Sequence, residues 1–195
     1  YLSLGAYGDG VDFFSFKGSV ETLLRELRIT NVKFEACTDN ASYHPGRCAC
    51  VYAGETLLGV FGQIHPLVAA NYGVDSEIYT AELSFEAMYE MRGGIPVYQP
   101  LPKFPAVTRD IAVVCDEAVT VGALEESIRR GAKGLLKEVS LFDIYRGPGV
   151  ADGKKSVAFN LVLRADDRSL TGDEADEDVQ SILAALSADH GAVLR

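Results

Sequence analysis

From Asp110 onward the apolar positions switch between two periods. "DIAVVC" (110–115) sends Ile111 and Val113 to one side and Ala112 and Val114 to the other, the alternation that predicts a strand. Val121, Leu124 and Ile128 then recur at helical spacing and predict a helix from Val121 to Lys133. "EVSLFDIY" (138–145) returns to the period of two, with Phe142 and Ile144 expected in the core and Asp143 and Tyr145 on the opposite face. Gly147-Pro148-Gly149 ends that strand, and "KSVAFNLVLR" (155–164) comes back from the turn. Its Val157, Phe159, Leu161 and Leu163 are the core side, leaving Ser156, Ala158, Asn160, Val162 and Arg164 on the other. Thr171, with Glu174 three residues on, is a capping box opening a second helix, whose apolar side is Val179, Ile182, Leu183 and Leu186. "GAVLR" is the last strand.

The resulting order, βαββαβ, is the split-βαβ, ferredoxin-like arrangement. Both helical stripes need the same core, so both helices must cover one face of the sheet. The face carrying Ala112, Asp143, Tyr145, Ser156 and Asn160 is then left uncovered.

The earlier half is patterned less clearly. "VETLLREL" (20–27) predicts a short helix, "RCACVYAG" and "TLLGVFGQI" predict strands around a Gly54-Glu55 turn, and "HPLVAANYG" a short helical or irregular connection. "VDFFSFKG" gathers three phenylalanines and Lys17, and its simplest reading is a core strand. "MRGGIPVYQPLPKFP" holds two glycines and four prolines, which disfavour continuous helix or central strand. The fold class is therefore α+β, with a first domain over 1–92, a linker over 93–105 and the ferredoxin-like domain over 106–195. Opening on Tyr1 in mid-pattern, the chain is expected to be a piece of something longer.

A chain of 195 residues with 48% hydrophobic residues can bury two cores. Its uncharged apolar stretches fall short of the roughly 20 residues a membrane span requires, and four cysteines without the spacing of a small secreted framework give the expectation of reduced thiols in a cytoplasmic protein. The net charge of −10 argues against a general polyanion binder. The acid is uneven, however. Asp166, Asp167, Asp173, Glu174, Asp176, Glu177 and Asp178 cluster together, whereas Arg146, Lys154, Lys155 and Arg164 flank the hairpin of the uncovered face.

Cys37, His44, Cys48 and Cys50 invite a metal reading. Small buried thiols are preferred to zinc, on the expectation that Cys48-x-Cys50 splits its sulfurs between two faces of a strand, and no metal site is assigned. His44 and His65 both precede proline with no nucleophile and carboxylate suggested nearby, so they read as turn histidines rather than general bases. The glycines of "GVFGQ" match no phosphate-loop spacing and are expected to permit turns or close packing. No catalytic residue is assigned. The uncovered face, with an aromatic ring, polar groups, two alanines that leave room and cations nearby, suits unstacked bases.

"FPAVTRDIAVV", "LFDIYRGPG" followed by "GKKSVAF", and the terminal "LR" resemble, in order and spacing, the ferredoxin-fold anticodon-binding domain that ends the beta subunit of bacterial phenylalanyl-tRNA synthetase. "VDFFSFKGSVETLL", "YHPGRCA" and "GVFGQIHP" resemble the end of that subunit's catalytic-like domain, a class II synthetase-like fold without the active site. Ser15 stands where the family commonly has Asp, and Tyr43 where it has an aliphatic residue. The resemblance implies a non-catalytic chain that recognises the anticodon stem-loop of tRNA-Phe. A catalytic alpha subunit in an alpha2beta2 heterotetramer would attach phenylalanine with ATP and magnesium, and this chain needs no cofactor of its own. Carried over residue by residue, the family's anticodon contacts fall on Ala112, Asp143, Tyr145 and Ser156. Arg146, Lys155 and Arg164 are the expected phosphate contacts. Editing, tRNA-body-binding and magnesium-associated regions would precede Tyr1. The alternative from another class is a ferredoxin-like regulatory domain that binds an amino acid or other small molecule.

Overall fold

The computed structural model describes residues 1–98 and 100–195. They divide into two compact units, Tyr1–Val97 and Tyr98–Arg195, each with its own core.

The first unit runs β1 (Leu2–Tyr7), α1 (Phe13–Glu26), β2 (Val32–Ala36), β3 (Tyr43–Ala53), β4 (Thr56–Ile64), α2 (Pro66–Asn71), β5 (Ile78–Leu83) and α3 (Phe85–Met91). Its strands form one antiparallel sheet in the order β1-β5-β4-β3-β2. The "VDFFSFKG" segment is not a strand but the first half of α1. Asp12 caps the helix: the Ser15 N–H donates to its carboxylate at 2.7 Å, and the Asp12 N–H donates to the Ser15 hydroxyl at 2.8 Å. That start aligns Phe16 with Val20 and Leu24 as one buried stripe, packed on Val51, Phe61, Tyr79 and Leu83. Tyr43 is buried, and its hydroxyl accepts from Thr80 at 3.2 Å. The glycines of "GVFGQ" permit close packing. A Cβ on Gly59 would lie 2.1 Å from the Glu82 carbonyl oxygen, and one on Gly62 would lie 2.4 Å from that of Arg47.

The second unit runs β6 (Val107–Asp116), α4 (Val121–Gly131), β7 (Leu136–Tyr145), β8 (Lys154–Leu163), α5 (Gly172–His190) and β9 (Val193–Leu194). All neighbours in the sheet order β7-β8-β6-β9 are antiparallel, the ferredoxin-like topology. α4 and α5 pack on one side. Leu124 and Ile128 of α4 and Val179, Ile182 and Leu186 of α5 share a core with Ile111, Val113, Val157, Phe159, Leu161 and Leu163 of the strands.

β7 departs from simple alternation. Its register against β8 shifts between Leu141, opposite Phe159, and Asp143, opposite Ala158, so Phe142 is an extra residue in a β-bulge. The shift moves Leu141 into phase with the core positions and leaves Phe142, expected in the core, 59% exposed. Ile144 resumes core packing beyond the bulge, and Asp143 and Tyr145 keep the opposite face.

Two outcomes follow for stability. Phe142→Ala should change it by no more than about 0.5 kcal/mol, whereas Phe159→Ala should cost about 3–5 kcal/mol by chemical denaturation. Comparable losses would mean that the bulge is misplaced. At α5, the Thr171 amide and then Arg168 pull the Glu174 carboxyl down to about 2. A depressed carboxyl contributes fully above its ordinary range and loses that contribution as the pH falls toward 2. Glu174→Gln should therefore flatten the fall in Tm below about pH 5, seen in melts across that range.

Candidate nucleic-acid interface

The register of the second unit builds a platform on the side away from α4 and α5. Ala112 of β6 lies opposite Ala158 of β8, which lies opposite Asp143 of β7. One row along, Val114 lies opposite Ser156, which lies opposite Tyr145. A further row holds Asp110, Asn160 and Ser140, with the Asn160 amide donating to Asp110 at 2.7 Å. Ala112, Asp143, Tyr145 and Ser156 thus occupy two adjacent rows of one face.

Tyr145 is held at the end of β7 by the turn that follows it. Its hydroxyl donates to the Pro148 carbonyl at 3.2 Å, and a Cβ on Gly147 would come within 2.8 Å of that hydroxyl, so a side chain there would push the Tyr145 ring aside. The other side chain at this point is one the sequence reading passed over. The Arg195 N–H donates to the Ala112 carbonyl at 2.9 Å, and its guanidinium lies 4.8 Å from the centre of the Tyr145 ring. The signal was available in the topology, because a last strand beside β6 brings residue 195 opposite Ala112. Although α4 and α5 pack on the other side of this sheet, Ser156 is only 3% and Ala158 only 9% exposed.

The expected phosphate contacts are placed differently. Lys155 lies opposite Cys115, on the core phase of β8. It is 7% exposed, and its ammonium donates to the Glu117 carbonyl at 2.9 Å. It is not on the uncovered face. Arg146 is exposed but grips the Glu117 carboxylate through two nitrogens, at 2.6–3.1 Å. This fork holds the Glu117 carboxyl below its usual range. Arg164 keeps the phase of Ser156 but lies eight residues along, about 27 Å at strand rise, so it does not join the other residues. The carboxylates of Asp173, Asp176 and Glu177 lie on α5, the covered side.

Cys48 and Cys50, expected on opposite faces, share one, since residues two apart in a strand point the same way. Cys50 packs against the Cys37, Tyr43 and Cys48 cluster. Burial, then Cys37, pushes the Cys48 thiol up to about 12 and Cys50 to about 11, so both are protonated at neutral pH and poor nucleophiles. Among the described residues no group of three or more His, Cys, Asp or Glu side chains is placed to hold a metal ion. His44 and His65 each accept a backbone N–H two residues on, from Gly46 at 3.1 Å and from Leu67 at 3.2 Å. Among the described residues no helix is long and apolar enough to cross a membrane.

Residues 102–195 match the ferredoxin-fold anticodon binding domain family, and residues 2–85 match the phenylalanyl tRNA synthetase beta chain CLM domain family. The phenylalanine–tRNA ligase beta subunit of Symbiobacterium thermophilum is 44% identical over 184 residues, 94% of this chain and 20% of the relative. That of Clostridium tetani is 38% identical over 194 residues, 100% of this chain and 24% of the relative. That of Bacillus subtilis is 40% identical over 185 residues, 95% and 23% of the two chains. The chain thus spans about a quarter or less of the length of these relatives.

The two cations beside Glu117 should separate in a stability measurement. Lys155→Met removes a charged donor from a buried site and should cost about 1–3 kcal/mol. Arg146→Ala removes only an exposed pair and should cost clearly less than Lys155→Met. A neutral Lys155→Met in denaturant titrations would show that the ammonium is solvated after all.

Proposed function

Because the chain belongs to the phenylalanine–tRNA ligase beta-subunit family, we propose that its second unit receives the anticodon stem-loop of tRNA-Phe on the face away from α4 and α5. The observation that carries this reading is the register that gathers Ala112, Asp143, Tyr145 and Ser156 in adjacent rows of the face away from α4 and α5. Tyr145 offers a ring on which an unstacked base can lie. The Asp143 carboxylate can accept from a base edge but repels phosphate, which suits it to discrimination rather than to affinity. The alanines admit close approach of a flat ring. Carboxylates along α5 disfavour the opposite side for a polyanion.

The first unit serves assembly. Tyr7, Phe14, Phe85 and Tyr89 are exposed, as side chains awaiting a protein partner would be, and the partner proposed is the catalytic alpha subunit in an alpha2beta2 enzyme of the cytoplasm. ATP and magnesium belong to the chemistry of that complete enzyme. The part taken by this chain is binding and positioning. Cys48 and Cys50 are held protonated by burial, and His44 and His65 are engaged by backbone N–H groups, so none of the four is an activated nucleophile.

Titration of labelled tRNA-Phe and a non-cognate tRNA with the full chain tests the reading. Tyr145→Ala should cost about 1–3 kcal/mol of affinity, with Tyr145→Phe retaining most of it. Asp143→Asn should narrow the gap between the two tRNAs more than it changes binding of either. Equal affinity of the unaltered chain and Tyr145→Ala would overturn the assignment.

A further inference from the structure

The Tyr145 ring does not stand open for a base. The Arg195 guanidinium is already over it at 4.8 Å. β9 and β7 are three strand spacings apart, about 14 Å, and the two side chains meet across that span beside Ser156 and Val114 in the row of Tyr145 and over the small Ala112 and Ala158 in the row of Arg195. Their stack must pass over β8 beside Ser156 and Ala158, which fits the near-complete concealment of both residues on the face away from α4 and α5. Arg195 is also electrostatically free. Arg146 is held by Glu117 and Lys154 by Asp116, and Lys155 is buried against the Glu117 carbonyl. Among the described residues no carboxylate pairs with Arg195.

We propose that Arg195 is a displaceable cover of the platform: a base that stacks on Tyr145 drives the guanidinium off the ring, and the released cation pairs with a phosphate of the same loop. The proposal rests on the anticodon-loop reading above. A planar guanidinium is a close stand-in for a base on an aromatic face, and an exposed cation–π contact is weak enough to yield. Displacement exposes Ser156 and Ala158 at the moment the base arrives. The guanidinium loses no carboxylate partner by moving, so phosphate is its best available acceptor. Sequence selection and charge neutralisation are thereby joined in one exchange, on a chain whose net charge would otherwise discourage RNA.

The test is the salt dependence of tRNA-Phe binding by the full chain, compared with Arg195→Ala, Arg195→Gln and Arg195→Lys, each checked for an unchanged melting profile. Removing one phosphate contact should lower the slope of log K against log salt by about 0.7, the value for a single-stranded segment. Arg195→Ala and Arg195→Gln should both show this loss, and Arg195→Lys should restore the slope. An unaltered slope in the two neutral variants, with affinity unchanged or tighter, would make Arg195 a passive lid and overturn the proposal while leaving the anticodon-loop reading intact. Absence of tRNA binding by the unaltered chain would overturn both. Should Arg195→Ala melt early, the length-preserving Arg195→Gln decides.

Discussion

The antiparallel ladder between β6 and β8, paired from Val107 and Leu163 to Asp116 and Lys154, is the constraint on which the second unit depends. A strand alternates its side chains, so setting Phe159 opposite Ile111 in the core also sets Ala158 opposite Ala112 on the far side. A slip of one residue would bury Ser156 and Asn160 under the helices and expose Phe159. The hydrophobic effect that holds α4 and α5 to one face thus specifies the composition of the other, although no ligand contributes to that choice. The β7 bulge lies within this scheme: it absorbs Phe142 and restores the phase in time for Asp143 and Tyr145 to reach the same face as Ser156.

How much of this was legible depended on whether local pattern or long-range pairing decided each element. The capping box at Thr171 and Glu174 and the stripe through Ile182 and Leu186 are local, and both appear in α5 as read. The bulge is not local. Nothing in "SLFDIY" states that Leu141 pairs with Phe159 and Phe142 with nothing, so Phe142 was expected in the core. β1, β2 and β5 were missed because they are short, and their burial alternates only once paired in the sheet. α1 was read too short because three phenylalanines obscured its period, while Asp12 and Ser15 supplied a cap of a less familiar composition.

The candidate site was legible in its face but not in its charge. Alternation put Ala112, Asp143, Tyr145 and Ser156 on one face among other residues, and the family resemblance singled out these four. Proximity in sequence misled for Lys155, which belongs to the core phase of β8, and for Arg146, whose partner Glu117 lies in the turn after β6. Arg195 was hidden for the opposite reason: it is distant in sequence from Tyr145 and meets it only through the β6–β9 pairing. A charge on this face therefore has meaning only after its existing partner is known, and the Arg195 guanidinium lies over the Tyr145 ring with no carboxylate partner among the described residues.

The most direct measurement is NMR of the full chain carrying labelled alanine methyls and tyrosine rings, titrated with tRNA-Phe. Ala112 and Ala158 report the face away from α4 and α5, Tyr145 its aromatic ring, and Ala175 and Ala185 the α5 side. The account predicts that tRNA-Phe shifts the Ala112, Ala158 and Tyr145 signals while leaving those of Ala175 and Ala185 in place, and that a non-cognate tRNA shifts them less. Perturbation centred on Ala175 and Ala185, or equal perturbation by both RNAs, would contradict it.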